Sequence, residues 1–136
     1  EILYEEEDIA LISVGSMVKT GAAVRRRLKE MGYSCSLINA RFVKPIDEKM
    51  VEEMGRGHKL LVTMEENVSS GGFGEKVREY ADNINLPCKV LTIAIPDEYV
   101  EHGNVDLLYR EVGIDEETVL KRVVTAYISA GAGRKG

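Results

Sequence analysis

A chain of 136 residues with 44% hydrophobic and 30% charged residues has the size and balance of one globular domain, large enough to bury a core. Its formal charge of −5 repels polyanions, and no basic stripe with interleaved aromatics runs through it, which argues against nucleic acid as a partner. No apolar run approaches the ~20 residues of a membrane helix, so a membrane span is not expected either.

Residues 1–7 form a charged entry, acidic at Glu5, Glu6 and Glu7, without the basic-then-apolar order of a secretory leader. They are expected to be a linker at the edge of a domain cut from a longer polypeptide, and a cytoplasmic protein fits this start. I-A-L-I-S-V (9–14) reads as the first strand, followed by a turn at Gly15-Ser16. A helix is predicted over 18–31, with Val24, Leu28 and Met31 as its apolar stripe and Gly32 in the C′ position. Its cluster of Arg25, Arg26, Arg27 and Lys29 is expected to be a solvated face. S-C-S-L-I-N (34–39) is the second strand. Pro45-Ile46-Asp47 opens a helix through Met54, with Asp47 as N-cap, Met50 and Val51 inward, and Gly55 and Gly57 closing it.

K-L-L-V-T-M-E (59–65) is an apolar strand of the kind a parallel sheet buries on both faces. Gly71, Gly72 and Gly74 bend the chain from it into a helix over 73–83. The fourth strand is C-K-V-L-T-I-A-I (88–95), and helices follow near 105–112 and over 116–128, the latter capped by Asp115 with Val119, Val123, Ala126 and Tyr127 on one side. Cys35 and Cys88 fall within apolar strand patterns and have no Cys or His at metal-ligand spacing, so buried reduced thiols are expected. Residues 129–136, small and weakly basic, are expected to be a flexible tail. Strand and helix alternate, which predicts an α/β fold over 8–128: a three-layer, open, mainly parallel sheet with helices on both faces.

Two blocks at strand ends carry the candidate chemistry: E-E-N-V-S-S-G-G-F-G (65–74) and P-D-E-Y-V-E-H-G (96–103). Glu65 and Glu66 are adjacent, so one side chain points into the neighbourhood of the sheet and the other away, and they are not a facing acid and base pair. Structurally, Glu66 or Asn67 is suited to anchoring the loop by accepting backbone N–H bonds, or to pairing with a base across a boundary. Ser69, Ser70 and the free amides of the next helix start could cradle an anion, and Gly15-Ser16 is a weaker version of the same arrangement. Yet G-G-F-G-E-K (71–76) is neither a dinucleotide fingerprint nor a P-loop, and close packing of the backbone explains the glycines equally well. His102 follows Asp97 and Glu98 but lacks a nucleophile or an orienting partner, so a loop-positioning or domain-contact role is expected.

These blocks, with D-I-A-L-I-S-V-G-S-M-V (8–18), N-A-R-F-V-K-P-I-D (39–47) and R-E-V-G-I-D (110–115), resemble the C-terminal domain of the transketolase family, most closely the last domain of the 1-deoxy-D-xylulose-5-phosphate synthases. The resemblance implies a part of a thiamine-diphosphate- and Mg2+-dependent carboligase that joins pyruvate to D-glyceraldehyde 3-phosphate with loss of CO2, supplying isoprenoid and thiamine synthesis. The family's G-D-G…N motif for diphosphate and metal is absent from this chain, so the domain is expected to hold no cofactor or metal alone and to be inactive in isolation. The resemblance also implies packing against upstream domains of the same polypeptide and support of a homodimer. Glu65, Glu66, Gly71, Gly72 and Gly74, with Asp97 and His102, are then interface or site-supporting residues, and none is catalytic. The C-terminal domain of a transketolase or of a 2-oxoacid dehydrogenase beta subunit is the alternative within the superfamily. A stand-alone module binding a small anion at the glycine turn is the alternative outside it.

Overall fold

The computed structural model describes residues 2–4, 8–15, 17–40, 46–65, 72–94 and 115–130. The elements run β1 (Ile2–Tyr4), β2 (Ile9–Val14), α1 (Met17–Glu30), β3 (Cys35–Ala40), α2 (Glu48–Gly57), β4 (Leu60–Glu65), α3 (Phe73–Asn83), β5 (Lys89–Ala94) and α4 (Glu116–Ser129). They build a five-stranded sheet in the order β1-β3-β2-β4-β5. The last four strands of that order are parallel to one another, and β1 is antiparallel to β3.

The apolar alternation of the strands decides which helices cover which face. Leu11, Leu60, Val62, Met64 and Ile93 point to one side and meet Met17, Val24 and Leu28 of α1 and Val119, Leu120, Val123 and Tyr127 of α4. Ala10, Ile12, Ile38 and Leu61 point to the other and meet Val51 and Met54 of α2 and Phe73 and Val77 of α3. Ile9, Ala10, Leu11 and Ile12 of β2 have no exposed surface at all, which fits the central strand of the sheet. Each large apolar side chain removed from water contributes roughly 1.5–3 kcal/mol, and this two-sided burial is what closes the three-layer fold.

Helix ends follow the expected chemistry. Asp47 accepts the Met50 amide at 3.1 Å and Asp115 accepts the Thr118 amide at 3.2 Å. After α1, Gly32 lies at φ +95°, the Gly32 amide bonds to the Lys29 carbonyl and the Tyr33 amide to the Leu28 carbonyl, a paired stop that needs a left-handed residue.

The structure corrects several sequence expectations. Met31 is 52% exposed, because α1 ends at Glu30 and the turn carries the side chain off the apolar stripe. Gly55 does not close α2; the helix runs through it to Gly57, its last residue, and Gly55 is buried where a Cβ would strike the Leu86 side chain. That glycine serves close packing between α2 and the chain entering β5. The Arg25–Arg27 cluster is not simply solvated. Arg27 bonds to Glu117 at 2.7 Å and to Glu116 at 3.4 Å on α4, and Arg25 donates to the Cys35 carbonyl at 2.9 Å. Residues 2–4, inside the stretch expected to be a linker, form β1. Cys88 is only partly buried and precedes β5, whereas Cys35 is buried, and burial pushes the Cys88 thiol upward. Ser129, assigned to the tail, is the last residue of α4. The predicted helix near 105–112 lies outside the described residues.

Candidate functional site

The strand order fixes where the sheet opens. From β2 the chain passes through α1 to β3 on one side, and then crosses through α2 to β4 on the other. The carboxyl ends of β2 and β4 therefore flank the topological switch point, the place where open α/β sheets leave a crevice. Ser13 and Met64 are register partners there, so Gly15, just past β2, and Glu65, the last residue of β4, stand at its two rims. Gly15 sits at φ +62°, a left-handed conformation that gives the sharp exit from β2.

Glu65 ends β4 and is only 5% exposed. It stands on the α3 side of the sheet, and its carboxylate spans the gap to the start of that helix: Oε1 accepts the Phe73 amide at 3.1 Å and Oε2 the Gly74 amide at 2.6 Å. The helix cap itself is Gly72, which has no side chain to offer, so a carboxylate from the preceding strand takes over the capping work. The positive end of the helix dipole and two charge-assisted bonds make burial of this anion tolerable. Glu65 thus performs an anchoring of the kind the sequence suggested for Glu66 or Asn67, which lie outside the described residues. Two amides at this helix start, those of Phe73 and Gly74, are thereby taken from any external anion.

Gly74 completes the junction. A Cβ there would lie 2.6 Å from Thr63 Oγ1, 2.6 Å from Thr92 Cγ2 and 3.1 Å from Glu65 Oε2. Thr63 and Thr92 are register partners on β4 and β5, and neither hydroxyl has a hydrogen-bond partner among the described residues. The glycine therefore lets the first turn of α3 settle directly onto two threonines, which brings its amide within reach of Glu65. Gly21 of α1 plays the matching part on the other face, where a Cβ would collide with Ser13 Oγ.

Of the sequence candidates, Glu65, Gly72 and Gly74 are brought together at this rim. Ser16, Glu66, Asn67, Ser69, Ser70, Gly71, Asp97 and His102 lie outside the described residues. Sequence reasoning missed His58 and Asp8, both at the amino end of the sheet and remote from the crevice. His58 is buried; its Nδ1 donates to the Met54 carbonyl at 2.7 Å, and its Nε2 meets Ser36 Oγ at 2.8 Å, so it ties the end of α2 to β3. A carbonyl only accepts, which places the proton on Nδ1. Asp8 accepts the Ser34 amide at 3.2 Å, while its own carbonyl accepts the amides of Lys59 and Leu60, which joins the starts of β2, β3 and β4. A lone His after a helix-ending glycine and an Asp before a strand are faint signals, since each acquires its partners only from distant sequence. Among the described residues, no group of His, Cys, Asp and Glu is arranged to hold a metal ion.

Comparison with known proteins agrees with this geometry. The family model "Transketolase, C-terminal domain" matches residues 1–119. The chain is 44% identical over 124 residues to a 1-deoxy-D-xylulose-5-phosphate synthase of Lachnoclostridium phytofermentans and 40% identical over 124 residues to one of Clostridium tetani. These matches cover 90% and 91% of this chain and 20% of each relative, so the chain spans about a fifth of the length of the curated proteins it matches. Among solved structures, a split-gene transketolase described as an inactive beta4 tetramer superposes with a TM-score of 0.83 at 24% identity, over 94% of this chain and 42% of that one. That likeness supports the fold alone. With a family match across most of its length and the switch-point sheet in place, the chain belongs to the transketolase C-terminal domain family.

Proposed function

We propose that this chain is the C-terminal domain of a 1-deoxy-D-xylulose-5-phosphate synthase, which condenses pyruvate with D-glyceraldehyde 3-phosphate and releases CO2. The observation that carries the reading is identity of 44% and 40%, over nine-tenths of this chain, to proteins of that name that are about five times as long. The domain's task in this reading is to pack against the upstream domains of the same polypeptide and to support a homodimer in the cytoplasm. No helix among the described residues is long and apolar enough to cross a membrane.

The crevice rim is the surface best suited to that packing. Glu65 spends both carboxylate oxygens on Phe73 and Gly74, so it supports the rim from beneath and does not itself reach a neighbour. Gly72 and Gly74 serve the same rim; Glu66, Gly71, Asp97 and His102 are proposed as its further interface residues. Thiamine diphosphate and Mg2+ supply the carbanion chemistry of such an enzyme when bound. The donor set of this rim does not fit them: its carboxylate and its helix-start amides satisfy each other, and the adjoining groups are threonine hydroxyls packed under a helix. No chemical step is therefore assigned to residues of this chain. The same internal pairing weighs against a stand-alone module that binds a small anion at the glycine turn.

Product formation tests the reading. The full-length polypeptide carrying this domain, supplied with thiamine diphosphate, Mg2+, pyruvate and D-glyceraldehyde 3-phosphate, should form 1-deoxy-D-xylulose 5-phosphate, and this chain alone should not. Turnover by the isolated chain, or a full-length protein that accepts other substrates only, would overturn it.

A further inference from the structure

Strand β5 ends the sheet order, so one of its sides has no neighbouring strand among the described residues. The Lys89 amide bonds to the Lys59 carbonyl at 3.2 Å, which turns the backbone groups of Lys89, Leu91 and Ile93 toward β4. By alternation, those of Val90, Thr92 and Ala94 face outward. The first two of these three carbonyls are occupied by arginine. Arg78 of α3 donates to the Val90 carbonyl at 3.0 Å, and Arg122 of α4 donates to the Thr92 carbonyl at 3.3 Å. The two helices lie on opposite faces of the sheet, so the guanidinium groups close on the edge from both sides. The strand they cover, K-V-L-T-I-A, is β-branched and apolar, the composition most prone to pair edge to edge.

We propose that Arg78 and Arg122 guard the β5 edge against pairing with β5 of a second copy of this chain. A two-fold antiparallel pairing centred on Leu91 requires the carbonyls of Val90 and Thr92 to accept amides from the partner strand, and both are already engaged. It would also bring two pairs of guanidinium groups together across the joint, with Lys89 of each copy beside them, and like charges opposed on neighbouring strands are destabilising. The carbonyls are satisfied without a second strand, so the edge gains little by finding one.

Sedimentation velocity of the chain carrying Arg78→Ala and Arg122→Ala, against the parent over a concentration series, tests the proposal. The double variant should self-associate with a dissociation constant lowered about tenfold or more, a conservative figure for backbone hydrogen bonds regained at two carbonyls of each copy. The amides of Val90 and Thr92 should gain hydrogen-exchange protection on association. Adding Val90→Pro, which removes an outward amide not used within the sheet, should restore the parent's behaviour. A double variant that keeps the parent's association state, or that associates without protection at Val90 and Thr92, would overturn the proposal. The single variant Arg78→Ala, altered at a solvent-exposed bond, provides the same readout at smaller amplitude should the double variant lose its circular dichroism. Absence of protection at Val90 in that variant counts equally against it.

Discussion

Glu65 and Gly74 are joined by a 2.6 Å hydrogen bond from the glycine amide to Oε2, although nine residues and a change from strand to helix separate them. Each residue makes the other necessary. Without a carboxylate at the end of β4, the first turn of α3 has no side-chain cap, since Gly72 offers none. Without a glycine at 74, the turn stands too far from the sheet for the carboxylate to reach its amides.

Replacing Glu65 with Ala removes two charge-assisted bonds and opens the helix start, and should lower stability by about 3 kcal/mol on the scale of roughly 1.5–3 per bond to a charged group. Glu65→Gln should cost less, because one oxygen still accepts an amide while its NH2 faces the other. Urea unfolding of the three proteins at neutral pH gives the order, parent above Gln above Ala.

Gly74→Ala places a methyl group 2.6 Å from both Thr63 Oγ1 and Thr92 Cγ2 on packed strands, where neither neighbour is the end of a long side chain. Overpacking of this kind costs about 1–3 kcal/mol. At Gly57 of α2 an added Cβ would meet nothing within 4 Å, so Gly57→Ala should instead raise stability by about 0.5 kcal/mol through helix propensity. Thermal midpoints that move in opposite directions for two Gly→Ala changes would separate close packing from propensity.

His58→Ala should destabilise by about 2 kcal/mol, because the Met54 carbonyl loses its side-chain donor in a buried setting. The effect belongs to the amino end of the sheet, so amide exchange should quicken at the end of α2 and the start of β3 and leave the Glu65 bonds to Phe73 and Gly74 protected. Equal loss of protection at both ends would contradict this separation.

Asp8 and Tyr127 give the stability a dependence on pH at both extremes. For Asp8, burial raises the carboxyl, but the Ser34 amide, the Tyr127 hydroxyl and the Lys59 ammonium outweigh it and leave the group below the usual carboxylate value. A depressed folded value contributes stability that is full above the unfolded value of about 3.9 and is lost as pH falls through the folded one. Burial first, and then the bond to Asp8 and its charge, push the Tyr127 hydroxyl up to about 12. A raised value contributes stability that is full below the unfolded value of about 10 and is lost as pH rises through the folded one. Tyr127→Phe should therefore flatten the alkaline limb of a plot of unfolding free energy against pH and weaken the acid limb. An unchanged alkaline limb would show that Tyr127 is not the group responsible.

The sequence by itself determined the elements and their alternation. The apolar runs of β2 and β4, Asp47 and Asp115 before their helices, and the left-handed Gly32 are local signals, each set by side chains a few residues apart. The family resemblance rested on equally local motifs. What Glu65 does was decided only by tertiary structure, because its partners are amides freed at a helix start and drawn close by a missing Cβ at Gly74. Gly55 illustrates the same division: in the sequence it reads as a stop, yet the Leu86 side chain packed against it makes it a point of close approach within α2. Arg78 and Arg122 appear in the sequence as ordinary helix-surface charges, and only the strand order, which leaves β5 at the edge, turns them toward its carbonyls. Capping and periodicity act over one or two turns and can be read along the chain. Hydrogen bonds across the sheet, and the absence of room between a helix and a strand, arise only when distant segments meet.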